Sequence, residues 1–290
     1  MKQKIWWISI QYGQGDKTIV ILPGFGSQSP VIQYKTLVEG LRDNYRVVVV
    51  EYFGYGYSMG IKEERSNDKI AGEINKLLEV AEINGPYVLM PHSLSNIYAM
   101  KFAEKYPDDV QAIISIDGTF PNEVEDSYRL SKIKDTVTNV NITSIWELTG
   151  FERILSYISP KTFYIDKMKE RSDIFTSEDL KVYRNRIGSS YLTRTMVREA
   201  KKIEENMKEM KDYKYPSYLP VLEILSTDTI KEYKEDKDSG NASVDLIDLA
   251  NTPITNKDIQ VVYEIEGDHM LQLSNPATLV SSIKAFLANF

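Results

Sequence analysis

Short apolar runs alternate with longer amphipathic segments through the first 120 residues of the chain. The runs are apolar at consecutive positions, which is typical of parallel strands that are buried on both faces. Segments with helical spacing of apolar residues lie between them. The alternation predicts an α/β fold, with a mostly parallel central sheet and helices on both faces. The predicted strands are Ile5–Tyr12, Thr18–Leu22, Val47–Val50, Tyr87–Met90 and Val110–Ile116, and the predicted helices are Ile32–Arg42, Asp68–Asn84 and Asn96–Tyr106.

The alternation stops at Pro121 and returns only after Tyr215. Between these residues the composition is polar and helical, and no segment has the pattern of a buried strand. We therefore predict a core formed by residues 1–120 and 216–290 and a helical insertion formed by residues 121–215. The other predicted elements are strands at Val221–Leu225 and Ile259–Ile265, a charged, mobile loop at Lys231–Ser243, and a final helix at Pro276–Phe290.

Composition narrows the chemistry that the chain can perform. The net charge of −7 argues against nucleic acid or an anionic membrane as the main partner. The absence of cysteine removes disulfides, thiolate metal ligands and a cysteine nucleophile. With only two histidines, few metal ligands remain. We expect a small-molecule substrate, no metal and no cofactor.

The chain has no apolar run long enough for a transmembrane helix. Its first ten residues, Met1–Ile10, contain two lysines and a short β-like run, and no small-residue cleavage site follows. We interpret them as a first strand, which favours a cytoplasmic location. An extracytoplasmic protein with a trimmed leader is the alternative. The oligomeric state has no signature in the sequence.

The segment from Gly85 to Met100 combines a buried strand, one tight turn and a helix, with Ser93 at the turn. Such a turn lifts its tip residue out of the sheet and points the first backbone N–H groups of the helix at a bound group. Serine nucleophiles are presented in this way, so we predict that Ser93 is a nucleophile. The alternative is a structural serine in a turn.

A serine hydroxyl is a poor nucleophile without a base. Of the two histidines, His92 adjoins Ser93 and is expected to point away from it, toward the sheet or the neighbouring loop. His269 follows the last predicted strand. Elimination and position therefore predict His269 as the base that takes the proton from Ser93 and returns it to the leaving group.

Four segments, in order along the chain, resemble the motifs of the α/β-hydrolase family. The long insertion lies where that family usually carries a helical cap. The resemblance implies an α/β-hydrolase fold and an esterase-like serine hydrolase with a cap. The segments are Leu22-Pro23-Gly24-Phe25-Gly26 in the place of the oxyanion-loop H-G-x-G, Glu51 to Ser58 as D-x-x-G-x-G-x-S, the Ser93 turn, and Gly267-Asp268-His269 with Pro276 and Phe286 as the G-x-H…P…F ending.

The Ser93 turn departs from the G-x-S-x-G pattern of the family, because Pro91 and Ser95 occupy the glycine positions. Glycine is usual there because a tight turn leaves little room for Cβ atoms beside the nucleophile. Serine is a small replacement. Proline fixes φ and has no N–H, so Pro91 fits only where that N–H needs no partner.

The base needs a carboxylate to hold its tautomer, and two aspartates compete for this role. Asp117 ends the strand after the Ser93 turn, where some family members, among the haloalkane dehalogenases, carry the acid. Asp228 follows the strand after the insertion, which is the commoner place, although the usual G-x-x-D spacing is not met. We favour Asp117, keep Asp228 as the alternative, and leave open that neither serves. Asp268 is expected to cap the turn beside His269.

The resemblance also implies donors for a developing oxyanion, each contributing about 3 kcal/mol. We predict the backbone N–H groups of Phe25 and Leu94 as the oxyanion hole. The insertion is expected to cover Ser93 as a lid, with burial inside the lid favoured over substrate contact for each single aromatic residue. An aromatic-rich lid favours an apolar or aromatic acyl or leaving group. Its aromatic residues are Trp146, Phe151, Tyr157, Phe163, Phe175, Tyr183 and Tyr191.

Together these features predict a carboxylesterase-like serine hydrolase that acts on carboxylic esters of small apolar or aromatic substrates through an acyl-enzyme. One alternative is an aminopeptidase or amidase of the same fold, in which Glu147, Glu152 or Glu178 holds a substrate amine. The other is a non-catalytic, small-molecule-binding protein of hydrolase fold, which Pro91 and Ser95 at glycine positions would favour.

Overall fold

The computed structural model describes residues 8–146, 151–190 and 192–290. Within them, seven segments form one sheet: β1 (Ile8–Tyr12), β2 (Thr18–Leu22), β3 (Arg46–Glu51), β4 (Tyr87–Pro91), β5 (Val110–Ile116), β6 (Val221–Ser226) and β7 (Gln260–Ile265). The spatial order is β1-β3-β2-β4-β5-β6-β7, with β1 antiparallel to β3 and every other pair parallel. Strand β4, which leads to Ser93, is therefore the centre of the sheet.

Helices cover both faces of this sheet, which confirms the predicted α/β class. Those before β6 are α1 (Pro30–Gln33), α2 (Lys35–Leu41), α3 (Asn67–Val80), α4 (Ser95–Lys105), α5 (Ser127–Trp146), α6 (Phe151–Ile158), α7 (Ile165–Glu170), α8 (Ser177–Ser190), α9 (Arg194–Ala200) and α10 (Ile203–Met210). After β6 come α11 (Thr227–Asp238), α12 (Leu246–Asn251), α13 (Leu271–Ser274) and α14 (Pro276–Leu287).

The consecutive apolar residues of each strand divide between two cores because successive side chains point to opposite faces of a sheet. In β2, Ile19 and Ile21 pack with residues of α2 and α14. Val20 and Leu22 face the other way and pack with residues of α3 and α4. Every residue of β2 is buried, as the apolar pattern predicts.

Several predicted bounds shift by one to four residues, and two predicted elements differ in kind from the structure. The single helix predicted over Ile32–Arg42 is divided at Tyr34, whose backbone is not helical (φ −102°, ψ 11°). The mobile loop predicted at Lys231–Ser243 is wrong, because α11 continues to Asp238. This helix is polar on nearly all sides, and only Ile230 and Tyr233 pack against the core.

The segment between β5 and β6 contains helices and no strand among its described residues. Part of it packs onto the sheet, since Met196, Met207 and Met210 share a core with β4 and α4. A second group, from α7 and α8, forms its own apolar cluster with Ile32 and Met270 beside the carboxyl ends of the strands. The insertion is thus helical, and its separation as a cap domain stays a prediction. None of the helices in the described ranges is long and apolar enough to cross a membrane.

Candidate functional site

Ser93 lies at the tip of the turn between β4 and α4 in a left-handed backbone conformation, with φ of 54°. Such a conformation is unfavourable for a non-glycine residue and persists only where the surroundings hold it. Here the Ser93 N–H donates to the Ile116 carbonyl (3.1 Å), and its carbonyl accepts from Thr119 N (3.1 Å) and Asn96 N (3.0 Å). The turn is therefore fixed on both sides by backbone bonds, and the side chain reaches the cavity above the sheet.

Pro91 lies at a gap in the hydrogen-bonded pairing between β4 and β5. The pairing of β4 with β5 runs to Leu89 opposite Ile113 and resumes only at the isolated bridge of His92 with Ile116. The His92 N–H points to β2, where it donates to the Leu22 carbonyl (3.0 Å). The missing N–H of Pro91 would point to β5, and the register is the same on both sides of the gap, so the ladder is interrupted where proline supplies no donor.

Ser95, at the second glycine position, is fully buried and uses its hydroxyl. The Oγ donates to the Pro23 carbonyl and lies 3.0 Å from the Tyr52 hydroxyl. Ser95 thus links the first turn of α4 to the Pro23–Ser27 loop. This bond explains how the turn keeps its geometry without glycine, and it weakens the argument that the departure signals a lost site.

The structure brings His269 and Asp117 together. The Nδ1 atom of His269 lies 2.7 Å from Oδ2 of Asp117, whose side chain is completely buried, whereas the imidazole is 43% exposed. Asp117 accepts three further bonds, from Ser226 N (2.7 Å), Ser226 Oγ (3.1 Å) and Thr229 Oγ1 (2.6 Å). Burial raises the pKa of Asp117, but the bonds from His269, Ser226 and Thr229 outweigh it and hold the pKa below its usual value. The carboxylate is thus ionised and aimed at the imidazole.

Asp228, the alternative acid, does not bond to the His269 ring in the described structure. It occupies the first turn of α11 with an exposed side chain, and its backbone N–H donates to the Gly267 carbonyl (3.1 Å). Asp268 behaves as a turn residue, as expected, because its Oδ1 accepts from Met270 N (3.1 Å). It also forms an ion pair with Lys167 of α7.

The Pro23–Ser27 loop lies directly against Ser93. A Cβ on Gly24 would come within 3.2 Å of the Ser93 Cβ and 2.8 Å of His92 Nδ1, so only glycine fits there. The Gly24 N–H is occupied, since it donates to the Tyr34 hydroxyl (3.1 Å). Within the described part of the chain, the N–H groups of Phe25 and Leu94 have no protein acceptor. They remain the predicted oxyanion donors.

His92 points away from Ser93 into the interior, as expected. It is 3% exposed, with Nδ1 lying 2.8 Å from the Tyr34 hydroxyl and Nε2 lying 2.8 Å from the His269 carbonyl. Burial, with the neighbouring His269, lowers its pKa to about 3, so His92 is neutral at physiological pH.

A cavity of about 440 Å³ opens above Ser93, a volume in the range of small-molecule sites. Ser93 and His269 line it together with the Gly24–Gln28 loop. Among the described residues that line it there is no aspartate, glutamate, lysine or arginine. The apolar part of the wall is formed by Phe25, Val140, Phe163, Tyr164, Leu192 and Met270, and the polar part by Ser27, Gln28, Gln33, Thr136, Asn139 and Thr162.

Of the lid aromatics, Phe163 lines the cavity, whereas Phe175 and Tyr183 are buried in the cluster of α7 and α8. Tyr157 is 62% exposed. The side chains of Trp146 and Phe151, and Tyr191 as a whole, lie outside the described residues. Sequence reasoning missed Tyr164 and Tyr34, because neither belongs to a motif.

The residues that the amidase alternative invoked are not brought to Ser93. Glu178 is an exposed residue of α8 that pairs with Lys181 (3.4 Å). Glu147 and the side chain of Glu152 lie outside the described residues.

Comparison with known proteins agrees with the observed fold. A family model described as alpha/beta hydrolase fold matches residues 17–139. YbdG of Bacillus subtilis (strain 168), an uncharacterized protein, is 29% identical over 214 residues, which are 73% of this chain and 63% of YbdG. The match therefore spans less than two thirds of that relative.

Solved structures extend the likeness to nearly the whole chain. An epoxide hydrolase from Bacillus megaterium superposes with a TM-score of 0.71 at 17% identity, covering 97% of this chain and 96% of its own. A thermophilic esterase from Thermogutta terrifontis superposes with a TM-score of 0.64 at 19% identity, covering 98% and 94%. At such identities the likeness shows the fold, and the chemistry must be argued from the site.

Proposed function

We propose that this chain, which has the α/β-hydrolase fold, is a serine hydrolase that cleaves carboxylic esters of small apolar or aromatic substrates through an acyl-enzyme. The observation that carries the proposal is the shared cavity of Ser93 and His269, with His269 bonded through Nδ1 to the buried, ionised Asp117. The bond leaves Nε2 as the imidazole atom free to accept a proton. A serine, a neutral imidazole and an orienting carboxylate are the three parts that nucleophilic acyl transfer needs.

In the proposed reaction, the Ser93 Oγ attacks the ester carbonyl while Nε2 of His269 takes its proton. The N–H groups of Phe25 and Leu94 would stabilise the oxyanion, each by about 3 kcal/mol. Collapse of the tetrahedral intermediate breaks the bond to the alcohol oxygen, which receives the proton from His269. Water, deprotonated by His269, then attacks the acyl-enzyme and releases the acid and Ser93.

The cavity supports the substrate class. Its volume of about 440 Å³ suits a small ester, and the aromatic rings of Phe25, Phe163 and Tyr164 would contact an apolar or aromatic group. The absence of a charged side chain from its described lining favours a neutral substrate, since an ion taken from water there would lack a partner.

The identity of the nucleophile favours esters over epoxides, although epoxide hydrolases share the fold. A serine oxygen that opened an epoxide would form an ether, which the same machinery could not cleave with water. A serine acyl ester is cleaved by the same steps that formed it. Ser93 is therefore matched to acyl transfer.

Activity-based labelling tests the proposal. A fluorophosphonate probe should label the wild-type protein and leave Ser93→Ala unlabelled, and p-nitrophenyl esters should be hydrolysed by the wild type but not by Ser93→Ala. Ser58→Ala, another buried serine, is the matched control and should keep full labelling. Equal labelling of wild type and Ser93→Ala would overturn the proposal.

A further inference from the structure

A continuous chain of hydrogen bonds links four residues that line the cavity: Gly24, Tyr34, His92 and His269. The Gly24 N–H donates to the Tyr34 oxygen (3.1 Å), the Tyr34 hydroxyl lies 2.8 Å from His92 Nδ1, and His92 Nε2 lies 2.8 Å from the His269 carbonyl. Tyr34 is 1% exposed and His92 is 3% exposed. Because both side chains are shielded from water, breaking one of these bonds would leave a buried polar group without a partner, which costs free energy.

The direction of each bond follows from its ends. The His269 carbonyl can only accept, so Nε2 of His92 carries a proton. Nδ1 of the neutral ring then has a lone pair, which accepts the hydroxyl proton of Tyr34. The Tyr34 oxygen still accepts from Gly24 N–H, so every group in the chain is satisfied and no other tautomer of His92 achieves this.

The two ends of the chain belong to different parts of the proposed machinery. Gly24 precedes Phe25, the predicted oxyanion donor, and His269 is the predicted base. We propose that His92 and Tyr34 are positioning residues, which hold the oxyanion loop and the backbone of the base in one fixed geometry around Ser93. Neither residue touches the reacting atoms in this role.

Packing supports the same role. The ring of His92 lies 4.7 Å from that of His269, centroid to centroid, at an angle of 36°. Tyr34, whose hydroxyl reaches Gly24 and His92, lies at the break between α1 and α2. His269 is consequently held at two points, by His92 at its carbonyl and by Asp117 at its ring.

The inference rests on the proposed function, and substitutions of His92 separate its two bonds. His92→Gln can still place an amide N–H near the Nε2 position and donate to the His269 carbonyl. His92→Asn can only reach the Nδ1 position, so it keeps Tyr34 and loses His269. Tyr34→Phe removes the bonds to both Gly24 and His92. Tyr87→Phe is the matched control, since it removes one buried bond, to the Ile83 carbonyl (2.8 Å), at the far end of β4.

Ester hydrolysis and thermal unfolding should be measured for all four variants. A displacement of about 1 Å can reduce a rate about 10²-fold, so we expect His92→Asn to lose about 10²-fold in kcat with KM nearly unchanged. His92→Gln should recover at least tenfold of that loss, and Tyr34→Phe should lose about tenfold or more. Tyr87→Phe should keep kcat. If His92→Asn keeps kcat within threefold, or if kcat follows the melting temperature equally in all four variants, the inference is overturned.

A spectroscopic readout separates this inference from the proposed function. We expect a strongly deshielded ¹H resonance from the proton between His269 Nδ1 and Asp117, which would report the placement of the base without any substrate. His92→Asn should shift or broaden it, whereas His92→Gln and Tyr87→Phe should preserve it. If the wild type hydrolyses no ester, the proposed function fails, and this resonance still decides the positioning role. An unchanged resonance in His92→Asn would overturn it.

Discussion

Replacing Asp117 by asparagine should abolish most activity while leaving the fold intact. The carboxylate accepts bonds from Ser226 N, Ser226 Oγ, Thr229 Oγ1 and His269 Nδ1. Asparagine keeps one acceptor oxygen for the Ser226 N–H. Its amide N–H₂ replaces the other oxygen and can only donate. The hydroxyl groups of Ser226 and Thr229 can rotate to accept from it, but a protonated Nδ1 of His269 cannot accept. His269 must then move its proton to Nε2, and an imidazole with that tautomer cannot take the proton of Ser93.

The expected magnitudes separate catalysis from stability. Loss of the correct tautomer should reduce kcat by about 10³- to 10⁴-fold, which is about 4 to 5.5 kcal/mol in activation free energy. Because the amide can satisfy most neighbours, and only the charge assistance of the bonds is lost, the free energy of unfolding should fall by about 1–2 kcal/mol. An inactive Asp117→Asn variant should therefore still unfold cooperatively.

Asp228→Asn is the matched control, because Asp228 was the competing acid and its side chain is exposed on α11. It should keep kcat within about twofold and its unfolding free energy within about 0.5 kcal/mol. The assay is the steady-state hydrolysis of p-nitrophenyl butyrate, with urea unfolding of each variant. The reasoning is refuted if Asp117→Asn stays within tenfold of the wild type, or if Asp228→Asn shows the larger loss.

Two further predictions concern stability and specificity. Burial raises the pKa of Glu223, which bonds to the Tyr215 hydroxyl (2.7 Å), to about 7. The folded state therefore keeps a proton that the unfolded chain releases above about pH 4.5. The free energy of unfolding should fall by about 3 kcal/mol as the pH rises from about 4.5 to about 7. Above pH 7 this group should cause no further loss. In Glu223→Gln, the unfolding free energies measured with urea at pH 5 and pH 8 should differ less than in the wild type. An unchanged difference would contradict the raised pKa of Glu223. Phe163→Leu enlarges the cavity and should raise relative activity on longer acyl chains, whereas Phe175→Leu, in the same apolar cluster but away from the cavity, should lower the melting temperature with the same chain-length profile. Equal profiles for the two variants would remove Phe163 from the substrate contacts.

The sheet could be predicted because its signal is local. Four apolar residues in a row, Ile19–Leu22 of β2, are typical of a strand that is buried on both faces. The strands at Thr18–Leu22 and Val110–Ile116 have the predicted bounds, and the others differ by about one residue where the structure describes both ends. Helix α11 was missed because its charges suggested a loop. Its cap, the Ser226 side chain accepting from Thr229 N (3.2 Å), and pairs such as Lys231 with Glu235 (3.8 Å) stabilise it at the surface.

The sequence likewise predicted some residues of the candidate site but not all of them. Ser93 and His269 could be selected from the sequence, because the chain has two histidines and one strand-turn-helix segment with a serine at its tip. The sequence favoured Asp117 but left Asp228 open as the acid, because both follow neighbouring strands of the sheet, β5 and β6. It depends on the direction of a side chain. The left-handed turn at Asp117, with φ of 45°, directs its carboxylate under Ser226 and Thr229 to His269.

The bonds that hold the site were also decided by tertiary structure alone. The sequence by itself determined the fold class, the order of the elements and the presence of Ser93 and His269. It contains no motif that links Tyr34 to His92 or Ser95 to the Pro23 carbonyl, because these pairs are separated by long stretches of chain and meet only when β2 and β4 lie side by side. Secondary-structure propensity depends on neighbouring residues. The geometry around Ser93 depends instead on side chains from distant segments that packing brings within hydrogen-bond distance.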